Sequence, residues 1–435
     1  MKKLLLFCCL SFLALGSGFS SGLCQGKESW TISKTLVPVL EDIQSEELIK
    51  SLASAGISSE FEKFEEALKP YEILKGKYFT IYLAPHYLDS YHIWILENPT
   101  TSIPFEDLMP DQLKELEQFR YVIGTAYQQE LGFPGYLVFL DLKKDYGFGR
   151  PLVCLEMIPT KHTGKTKDEL DIFEKIKRSL YVFYNEGVKQ ILPPQKAKPE
   201  VERIKAIIAH LPSLETQKRN PKNTLPWKRN ISHWDDLKTL SLQELKKELL
   251  QQNALLSEET STQQNHQVSP VKVKDEGEFT PSNDITKCAF CDPKVIENQF
   301  VHKFGDFVCL YNFRPYTPGY HFMVTSYLPL HVEDWQNFSL DDVLHIDQLA
   351  QAIVKAIKQE SGRDDVILFI QNGLTAGMTV PHGHMHILLR PTKLHYFAQL
   401  LLEATGNKRK GLSAQEMNPT KTKFRNRLGH LLTPP

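Results

Sequence analysis

The chain has 435 residues, of which 41% are hydrophobic, and its 51 basic and 52 acidic residues leave a formal net charge of −1. This length is sufficient for about two domains with hydrophobic cores of their own. A nearly neutral chain has no overall electrostatic attraction for nucleic acid, so the composition indicates no specific nucleic-acid partner.

The first 25 residues have the order of charge and hydropathy that is typical of an export signal. Two lysines precede an apolar run that ends in small residues, MKKLLLFCCLSFLALGSGFSSGLCQG, and this order predicts a secretory signal peptide over residues 1–25. Cleavage would leave the mature chain outside the cytoplasm, in the periplasm or beyond it. Two alternatives stay open. One is lipidation at Cys24, although Leu23 stands where a small residue is usual, and the other is an uncleaved leader that attaches the chain to a membrane.

Cysteine usage does not suggest a disulfide framework. Outside the leader the chain has four cysteines, Cys154, Cys288, Cys291 and Cys309, which are too few to cross-link a chain of this size. Cys288 and Cys291 are separated by two residues in the motif KCAFCDP. This spacing suits either a zinc site or a redox disulfide.

Two long stretches of the chain repeat one order of elements. YHIWILENPTTSIPFEDL begins at Tyr91, and YHFMVTSYLPLHVEDW begins at Tyr320. Each is followed by an amphipathic helix, an apolar strand, a turn that contains glycine, and a last strand that closes in Pro-Thr-Lys. The sequence therefore predicts an α+β fold of two tandem modules over residues 26–187 and 285–404, each an antiparallel sheet with helices.

The first of the two copies lacks the histidines of the second. An alignment of the closing strands without gaps, anchored on the closing prolines, sets Arg150 opposite His382, Leu152 opposite His384 and Cys154 opposite His386. In the upstream part of the repeat, where the offset differs by a few residues, Pro104 falls opposite His331. The first copy is therefore degenerate, because it keeps the fold pattern without the chemistry. We expect it to complete or cover the sheet of the second copy. The alternative is that it contributes substrate contacts, with Arg150 and Lys161 as anion ligands.

The segments between and after the copies differ from them in composition. Residues 188–284 combine helical patterns such as LPPQKAKPEVERIKAIIAHL with the polar stretch ETSTQQNHQVSPVKVKDEGEFTPSND, and they predict a helical and disordered insertion. Residues 405–435 form a basic tail, which we interpret as solvated. The alternative is that this tail binds an anion or a membrane surface.

The segment VPHGHMHILLRP places three histidines at alternate positions, His382, His384 and His386. Its apolar residues and closing proline predict a strand, and since side chains alternate along a strand, the three imidazoles share one face. Gly383 and Met385 face the other way, and a glycine there allows close approach of a backbone or a ligand. Because imidazole titrates near neutral pH and binds metals, the row predicts either a metal site or a site of nucleophilic or acid–base chemistry.

The segment QNGLTAGMTVPHGHMHILLRP, together with CAFC and YTPGYHFMVTSYLPLHVEDW upstream, resembles the histidine triad (HIT) superfamily over residues 286–400. The two-copy layout is similar to the nucleotidyltransferase and phosphorylase branch, which includes galactose-1-phosphate uridylyltransferase and diadenosine tetraphosphate phosphorylase. The resemblance implies tandem HIT-like modules, of which the first is degenerate. It also implies a nucleotide or dinucleoside polyphosphate as the substrate.

The resemblance assigns roles to four residues of the second module. His384 would attack the α-phosphorus of the nucleotide and form a covalent nucleotidyl-histidine, because neutral imidazole is both a good nucleophile and a good leaving group. His386 would stabilise or protonate the departing oxygens. Asn372 and Thr379 match positions that hydrogen-bond the phosphate and the surroundings of the nucleophile.

The same resemblance implies a bound metal ion. Cys288, Cys291, His331 and His382 match the positions that hold a structural zinc ion (Zn²⁺) in the metal-binding members, and two thiolates with two imidazoles suit tetrahedral zinc without an open position. Two alternatives stay open. The cysteines could form a disulfide in an oxidising compartment, or the three triad histidines could themselves hold a catalytic metal.

Three departures from the branch bear on the activity. Its transferases commonly end the triad in glutamine, whereas position 386 is histidine, which favours hydrolysis. Met378 stands where the family often has glutamine. The complete site lies in the second copy rather than the first. The sequence therefore predicts a nucleotide-phosphoanhydride hydrolase or nucleotidyltransferase. The alternative is a zinc-stabilised nucleotide-binding protein without turnover. The oligomeric state is left open, since an internal pair of modules can replace a dimer of single modules.

Overall fold

The computed structural model describes residues 65–87, 91–98, 103–142, 153–160, 190–216, 288–327, 330–392 and 411–432. The predicted signal peptide, Arg150, Lys161 and the polar stretch of the insertion lie outside these residues. No helix in the described part of the chain combines the length and the hydropathy that a membrane span requires.

Ten strands form one antiparallel sheet, and two short strands pair separately. In chain order the strands are β1 (Glu72–Lys75), β2 (Phe79–Leu83), β3 (His86–Tyr87), β4 (Ile93–Glu97), β5 (Gly135–Asp141), β6 (Cys154–Thr160), β7 (Gln190–Ile191), β8 (Phe300–Phe304), β9 (Phe307–Tyr311), β10 (His321–Ser326), β11 (Val366–Asn372) and β12 (His384–Leu389). β3 pairs with β7, and the other ten strands belong to the large sheet.

The two halves of the large sheet have the same connectivity. Across the sheet the order is β1-β2-β4-β6-β5-β11-β12-β10-β9-β8, so each half places its last strand between its third and its fourth. β5 and β11 pair antiparallel at the centre, with Phe139 opposite Phe369. The prediction of an α+β fold with tandem modules is therefore confirmed.

The register of the sheet corrects the alignment of the two copies. Phe139 also pairs with Glu156 on β6, and Phe369 pairs with His386 on β12. Since Phe139 and Phe369 are equivalent positions, Glu156 is the counterpart of His386. The gapless alignment, which set Cys154 opposite His386, was wrong by two residues.

The error has a structural reason. β6 continues through Thr160, whereas β12 ends at Leu389 before the closing proline, so the two Pro-Thr-Lys segments are not equivalent in space. Cys154 is instead the counterpart of His384. Because side chains alternate with a period of two, a slip of two residues leaves each of them on its own face, and the first copy still lacks the histidines.

Five α-helices and several shorter turns complete the described fold. The helices are α1 (Pro110–Thr125), α2 (Pro194–Ile208), α3 (Pro293–Gln299), α4 (Leu340–Ser361) and α5 (Ala414–Leu432). Single 3₁₀ turns occur at Lys69–Tyr71, Phe105–Asp107, Leu214–Thr216, Trp335–Asn337 and Leu374–Ala376, and a π turn, Ala126–Glu130, follows α1.

The start and end of α4 follow from its sequence. The Ser339 hydroxyl accepts a hydrogen bond from the backbone N–H of Asp342, and the Asp342 carboxylate accepts one from the backbone N–H of Ser339, which is a reciprocal cap. Gly362 ends the helix at φ 66°, a left-handed conformation that glycine adopts without steric cost. The buried apolar side chains of α4 recur at helical spacing and include Val343, Ile346, Ile353 and Ile357.

The helices and the histidines lie on opposite faces of the sheet. Met385 and Ile387 of β12 belong to the main core, which includes the apolar side chains of α1 and α4. Leu388 belongs to a second cluster on the other face, together with Phe369. Because side chains alternate along a strand, His384 and His386 lie on the face opposite the helices, and Met385 points away from them as predicted.

The basic tail contains a packed helix. Met417, Phe424 and Leu428 of α5 are buried, and the Phe424 ring lies 4.4 Å from the ring of Phe322 on β10. Lys421 Nζ donates to the carbonyl oxygen of Asn298 at 2.7 Å, and other basic residues of α5 bind carbonyls of the edge strand β8 and the carboxylate of Glu360. In contrast with the interpretation of a solvated tail, these charges fix the helix to the second module.

We expect the substitution Phe424→Ala to lower the free energy of unfolding by about 3–5 kcal/mol, because it leaves a cavity beside Phe322. Urea denaturation of the purified variant, followed by circular dichroism, measures this change. Phe313→Ala is the matched control, since the Phe313 side chain is 38% exposed and its loss should have a much smaller effect. Equal effects of the two substitutions would contradict the packing of α5 described above.

Candidate active site and metal centre

Four side chains from three separate segments meet at one end of the triad strand. Cys288 and Cys291 belong to the turn before α3, His331 follows β10, and His382 precedes β12. Their ligand atoms all lie within 4.8 Å of one another. The Cys288 Sγ lies 3.3 Å from His382 Nδ1, and the Cys291 Sγ lies 3.2 Å from His331 Nδ1. The structure thus brings together the four residues that the sequence predicts as metal ligands.

The second ring nitrogen of each histidine is held by a partner outside the cluster. His382 Nε2 lies 2.6 Å from the Ser326 hydroxyl, and His331 Nε2 lies 3.5 Å from a Glu333 carboxylate oxygen. Such partners fix the orientation of a ligating imidazole and leave its other nitrogen, here Nδ1, to the metal. Two sulfurs and two Nδ1 atoms at these separations fit a closed tetrahedral site.

No disulfide joins Cys288 to Cys291 in this structure, and Cys154 and Cys309 are not in disulfides either. A hydrogen bond from Cys291 lowers the pKa of the Cys288 thiol, and the same contact raises the pKa of Cys291. One of the two sulfurs is therefore readily available as a thiolate, which is the form that binds metals.

The hydrogen bond of His384 determines which of its nitrogens carries a proton. Nδ1 lies 2.6 Å from the carbonyl oxygen of His382, and since a carbonyl can only accept, Nδ1 donates. Burial lowers the pKa of His384 to about 4, so the ring is neutral near pH 7 and Nε2 keeps its lone pair. His384 Nε2 thus carries an unprotonated lone pair, which a nucleophile or a hydrogen-bond acceptor requires.

His386 is oriented by a histidine that the sequence analysis did not assign. His321 Nδ1 accepts a hydrogen bond from the backbone N–H of Tyr316 at 3.0 Å, and His321 Nε2 lies 3.0 Å from His386 Nδ1. The neutral form of His321 therefore donates from Nε2, which leaves the proton of neutral His386 on Nε2. The His386 ring also stacks on Phe369, with centroids 4.5 Å apart.

A signal for His321 was present in the sequence. The Tyr-His pair that starts each repeat is Tyr91–His92 in the first copy and Tyr320–His321 in the second. In the first module, His92 Nε2 contacts the Glu156 carboxylate at 3.0 Å, and Glu156 is the counterpart of His386. The same pair of positions is therefore in contact in both modules, although the residue types differ.

The three triad histidines do not converge on one point. His382 directs Nδ1 to the cysteines, His384 directs Nδ1 to a backbone carbonyl, and His386 directs Nδ1 to His321. Of the three, only His382 belongs to a metal-binding group within the described residues. This arrangement argues against the alternative in which the triad holds a catalytic metal.

The two predicted substrate-binding residues have different surroundings. Asn372 is buried, and its amide binds the segment after His331: Oδ1 accepts from Trp335 N–H, and Nδ2 donates to Asp334, both at 2.9 Å. Thr379 is exposed on the loop that precedes His382. The structure thus gives Asn372 an anchoring contact, and a contact of either residue with substrate stays a prediction.

Gly383, between the first two histidines, shows why that position lacks a side chain. Its backbone N–H donates to the carbonyl oxygen of Val332 at 2.6 Å. A Cβ at this position would lie 3.0 Å from the ring of Phe338, which is closer than ordinary carbon contacts. The predicted close approach of another backbone is confirmed.

Comparisons with known proteins find one matching family model and several similar solved structures. The HIT domain family model matches residues 293–393, and no curated protein sequence matches the chain. One similar solved structure is the C. elegans NitFhit protein, at 20% identity over 30% of this chain and 27% of that chain, with a TM-score of 0.24.

Two further solved structures are similar to this chain. An ADP-glucose phosphorylase from Arabidopsis thaliana with bound ADP-glucose is 11% identical, over 86% of this chain and 93% of that chain, with a TM-score of 0.42. A Zn-bound histidine triad family protein from Mycobacterium smegmatis is 20% identical, over 34% of this chain and 96% of that chain, with a TM-score of 0.26. The family-model match shows that residues 293–393, which include the triad motif, are similar to the HIT domain.

Proposed function

We propose that the protein is a nucleotide-phosphoanhydride hydrolase or nucleotidyltransferase that acts through a covalent nucleotidyl-histidine on His384. The hydrogen bond from His384 Nδ1 to the His382 carbonyl carries this proposal, because it places the proton of the neutral ring on Nδ1 and leaves the lone pair on Nε2. Burial keeps the ring neutral by lowering its pKa. The substrate class is a nucleotide or a dinucleoside polyphosphate. Water is the favoured acceptor, since the triad ends in histidine at position 386.

The reaction has two displacement steps. In the first, the Nε2 lone pair of His384 forms a bond to the α-phosphorus, and the bond from this phosphorus to the bridging oxygen of the leaving phosphate breaks. The leaving group keeps the electron pair of that bond. In the second, the acceptor oxygen bonds to the phosphorus, the phosphorus–nitrogen bond breaks, and its electron pair returns to Nε2. The acceptor's proton passes to solvent.

His386 and Thr379 contribute charge stabilisation in this scheme. The N–H at His386 Nε2 donates to the departing oxygen as its negative charge grows, and its tautomer is fixed by His321. The exposed Thr379 hydroxyl binds a phosphate oxygen. Asn372 acts on the site by holding the Asp334–Trp335 segment.

The metal of this protein is, in our proposal, a structural zinc ion held by Cys288, Cys291, His331 and His382. Their two sulfurs and two Nδ1 atoms make up the donor set that zinc prefers, without an open position for substrate. When bound, zinc supplies cross-links between three segments rather than a reacting group. Through His382 and the adjacent backbone it also fixes the carbonyl that orients His384.

The leader supports a proposal about location. A cleaved signal peptide would place this activity outside the cytoplasm, and a retained or lipidated leader would keep it at a membrane.

One structural observation favours the alternative function, a zinc-stabilised nucleotide-binding protein without turnover: His384 is only 4% exposed.

The substitution His384→Ala should abolish turnover, because no other group replaces the nucleophile. Purified wild type and variant are each incubated with a panel of nucleotides and dinucleoside polyphosphates, and release of nucleoside monophosphate is followed by chromatography. A substrate labelled on the α-phosphate should also leave acid-labile label on the wild type and none on the variant. We expect a loss of kcat of about 10³-fold or more.

His345→Ala is the control for this experiment, since His345 is an exposed histidine on α4 and its loss should leave kcat unchanged. If folded, metal-loaded wild type binds nucleotides tightly but neither releases monophosphate nor takes up label, the proposal of a hydrolase or transferase is wrong and the binding-protein alternative is favoured.

The metal proposal predicts one zinc ion per wild-type chain and much less than one in Cys291→Ala. Metal content is measured by mass spectrometry after gel filtration, and unfolding temperature is measured with and without a chelator. We expect the chelator to destabilise the wild type but not Cys291→Ala, because loss of a bound metal removes its contribution to folding. Cys309→Ala is the matched control, since Cys309 is buried on β9 away from the cluster. A full zinc content in Cys291→Ala would exclude Cys291 as a ligand.

A further inference from the structure

We propose that the degenerate first module positions the active site of the second, and that Thr160 and Gln128 are the residues through which it does so. The inference rests on the proposed function, because it assigns these residues to the site around His384. Neither residue belongs to the second module or to the predicted set of site residues. One contacts the loop that leads into the triad strand, and the other contacts the segment to which the start of that strand is hydrogen-bonded.

The first contact holds the loop that leads into the triad. The Thr160 hydroxyl, at the end of β6, lies 2.7 Å from the hydroxyl of Thr375 in the turn Leu374–Ala376. Thr160 is 2% exposed, and the hydrogen bond itself is partly buried. The loop continues from Thr375 through the exposed Thr379 to His382, and its path therefore depends on where Thr160 holds it.

The backbones beside this contact are close together. Gly373 starts the loop at φ 87°, and a Cβ there would lie 2.8 Å from the carbonyl oxygen of Pro134. A Cβ on Gly135 would lie 2.5 Å from the carbonyl oxygen of Asn372. Glycine is required on both sides, because any side chain would push the loop away from the first module.

The second contact holds the segment that follows the metal ligand His331. Gln128 Nε2, in the π turn after α1, donates to one carboxylate oxygen of Asp334 at 2.7 Å. The other oxygen of Asp334 accepts from Asn372 Nδ2 at 2.9 Å. Two residues before Asp334, Val332 accepts the backbone hydrogen bond from Gly383. Gln128 thus fixes the segment that carries one metal ligand and binds the start of the triad strand.

Through these contacts the first module has a role in the site, although it lacks a triad of its own. Nucleophilic displacement at phosphorus requires the attacking nitrogen and the phosphate ligands to be placed to within a fraction of an ångström, and misplacement by about 1 Å can cost 10²-fold in rate. The second module supplies the reacting groups, and the first supplies fixed points beside them. A positioning residue of this kind should affect kcat more than KM.

The test compares Thr160→Val, which removes the hydroxyl at nearly constant volume, with Thr160→Ser, which restores it. Thr80→Val is the matched control: Thr80 is 1% exposed and its hydroxyl donates to Asn98 at 2.6 Å within the first module. Two quantities are measured for the full chain with its metal. One is kcat and KM for the best substrate of the nucleotide panel, and the other is hydrogen exchange at the backbone amides of Ala376, Gly377 and Met378, which are bonded within the loop.

We expect Thr160→Val to lower kcat by about tenfold or more with KM within about twofold. We expect exchange at the three loop amides to become about fivefold faster. Thr160→Ser should recover both, and Thr80→Val should change neither. The proposal would be overturned if Thr160→Val had the same exchange rate at the loop amides as Thr80→Val, or the same kcat. If the wild type has no turnover, the proposed function fails, and the exchange measurement alone decides whether Thr160 holds the loop.

Discussion

The antiparallel pairing of β5 with β11 is the contact on which the rest of the structure depends. Six residue pairs, from Ile367–Asp141 to Asn372–Tyr136, join two five-stranded halves into one sheet. Because backbone hydrogen bonds fix the register, the loops at the ends of β5, β6 and β11 are held in a single arrangement. The loop that precedes the triad histidines starts directly at the end of β11, and the end of β6 from the other half lies beside it.

The same pairing shows which residues of the two halves occupy equivalent positions. Glu156 lies at the position of His386, and Cys154 at that of His384, on two halves with one connectivity. In each half, the residue at the position of the third triad histidine contacts the histidine of the Tyr-His pair. Glu156 contacts His92 in the first half, and His386 contacts His321 in the second. The Glu156 carboxylate and His92 are both buried and satisfy each other's hydrogen bond within the first half. Cys154, at the position of His384, has no imidazole nitrogen, so the chemistry proposed for His384 belongs to the second half.

A buried polar group also links the helices of the two halves. Arg120 and Glu117 of α1 form an ion pair at 2.5 Å, and the Arg120 guanidinium lies over the ring of Trp335, 5.4 Å from its centre. Asp347 of α4 is buried near them, and burial raises the pKa of both carboxyl groups. Trp335, which Asn372 also binds, is therefore held from the helix layer and from the sheet.

The sequence by itself determined the local features of this protein. The alternation of His382, His384 and His386, the two-residue spacing of Cys288 and Cys291, the reciprocal cap of α4 and the repeated order of elements follow from periodicity and short-range chemistry. These properties depend on neighbours along the chain, so they can be read from it. The motif around His384 was specific enough to predict the HIT domain match over residues 293–393.

Only the tertiary structure decided how separate segments meet. The end of a strand depends on its partner strands, and the Pro-Thr-Lys segment that both copies share gave no information about those partners. The alignment was therefore wrong by two residues. His321 and Asn372 acquired their contacts from segments 65 and 38 residues away, and Thr160 from one 215 residues away. Hydrogen bonds over such separations depend on the packing of the whole sheet, which no local pattern specifies.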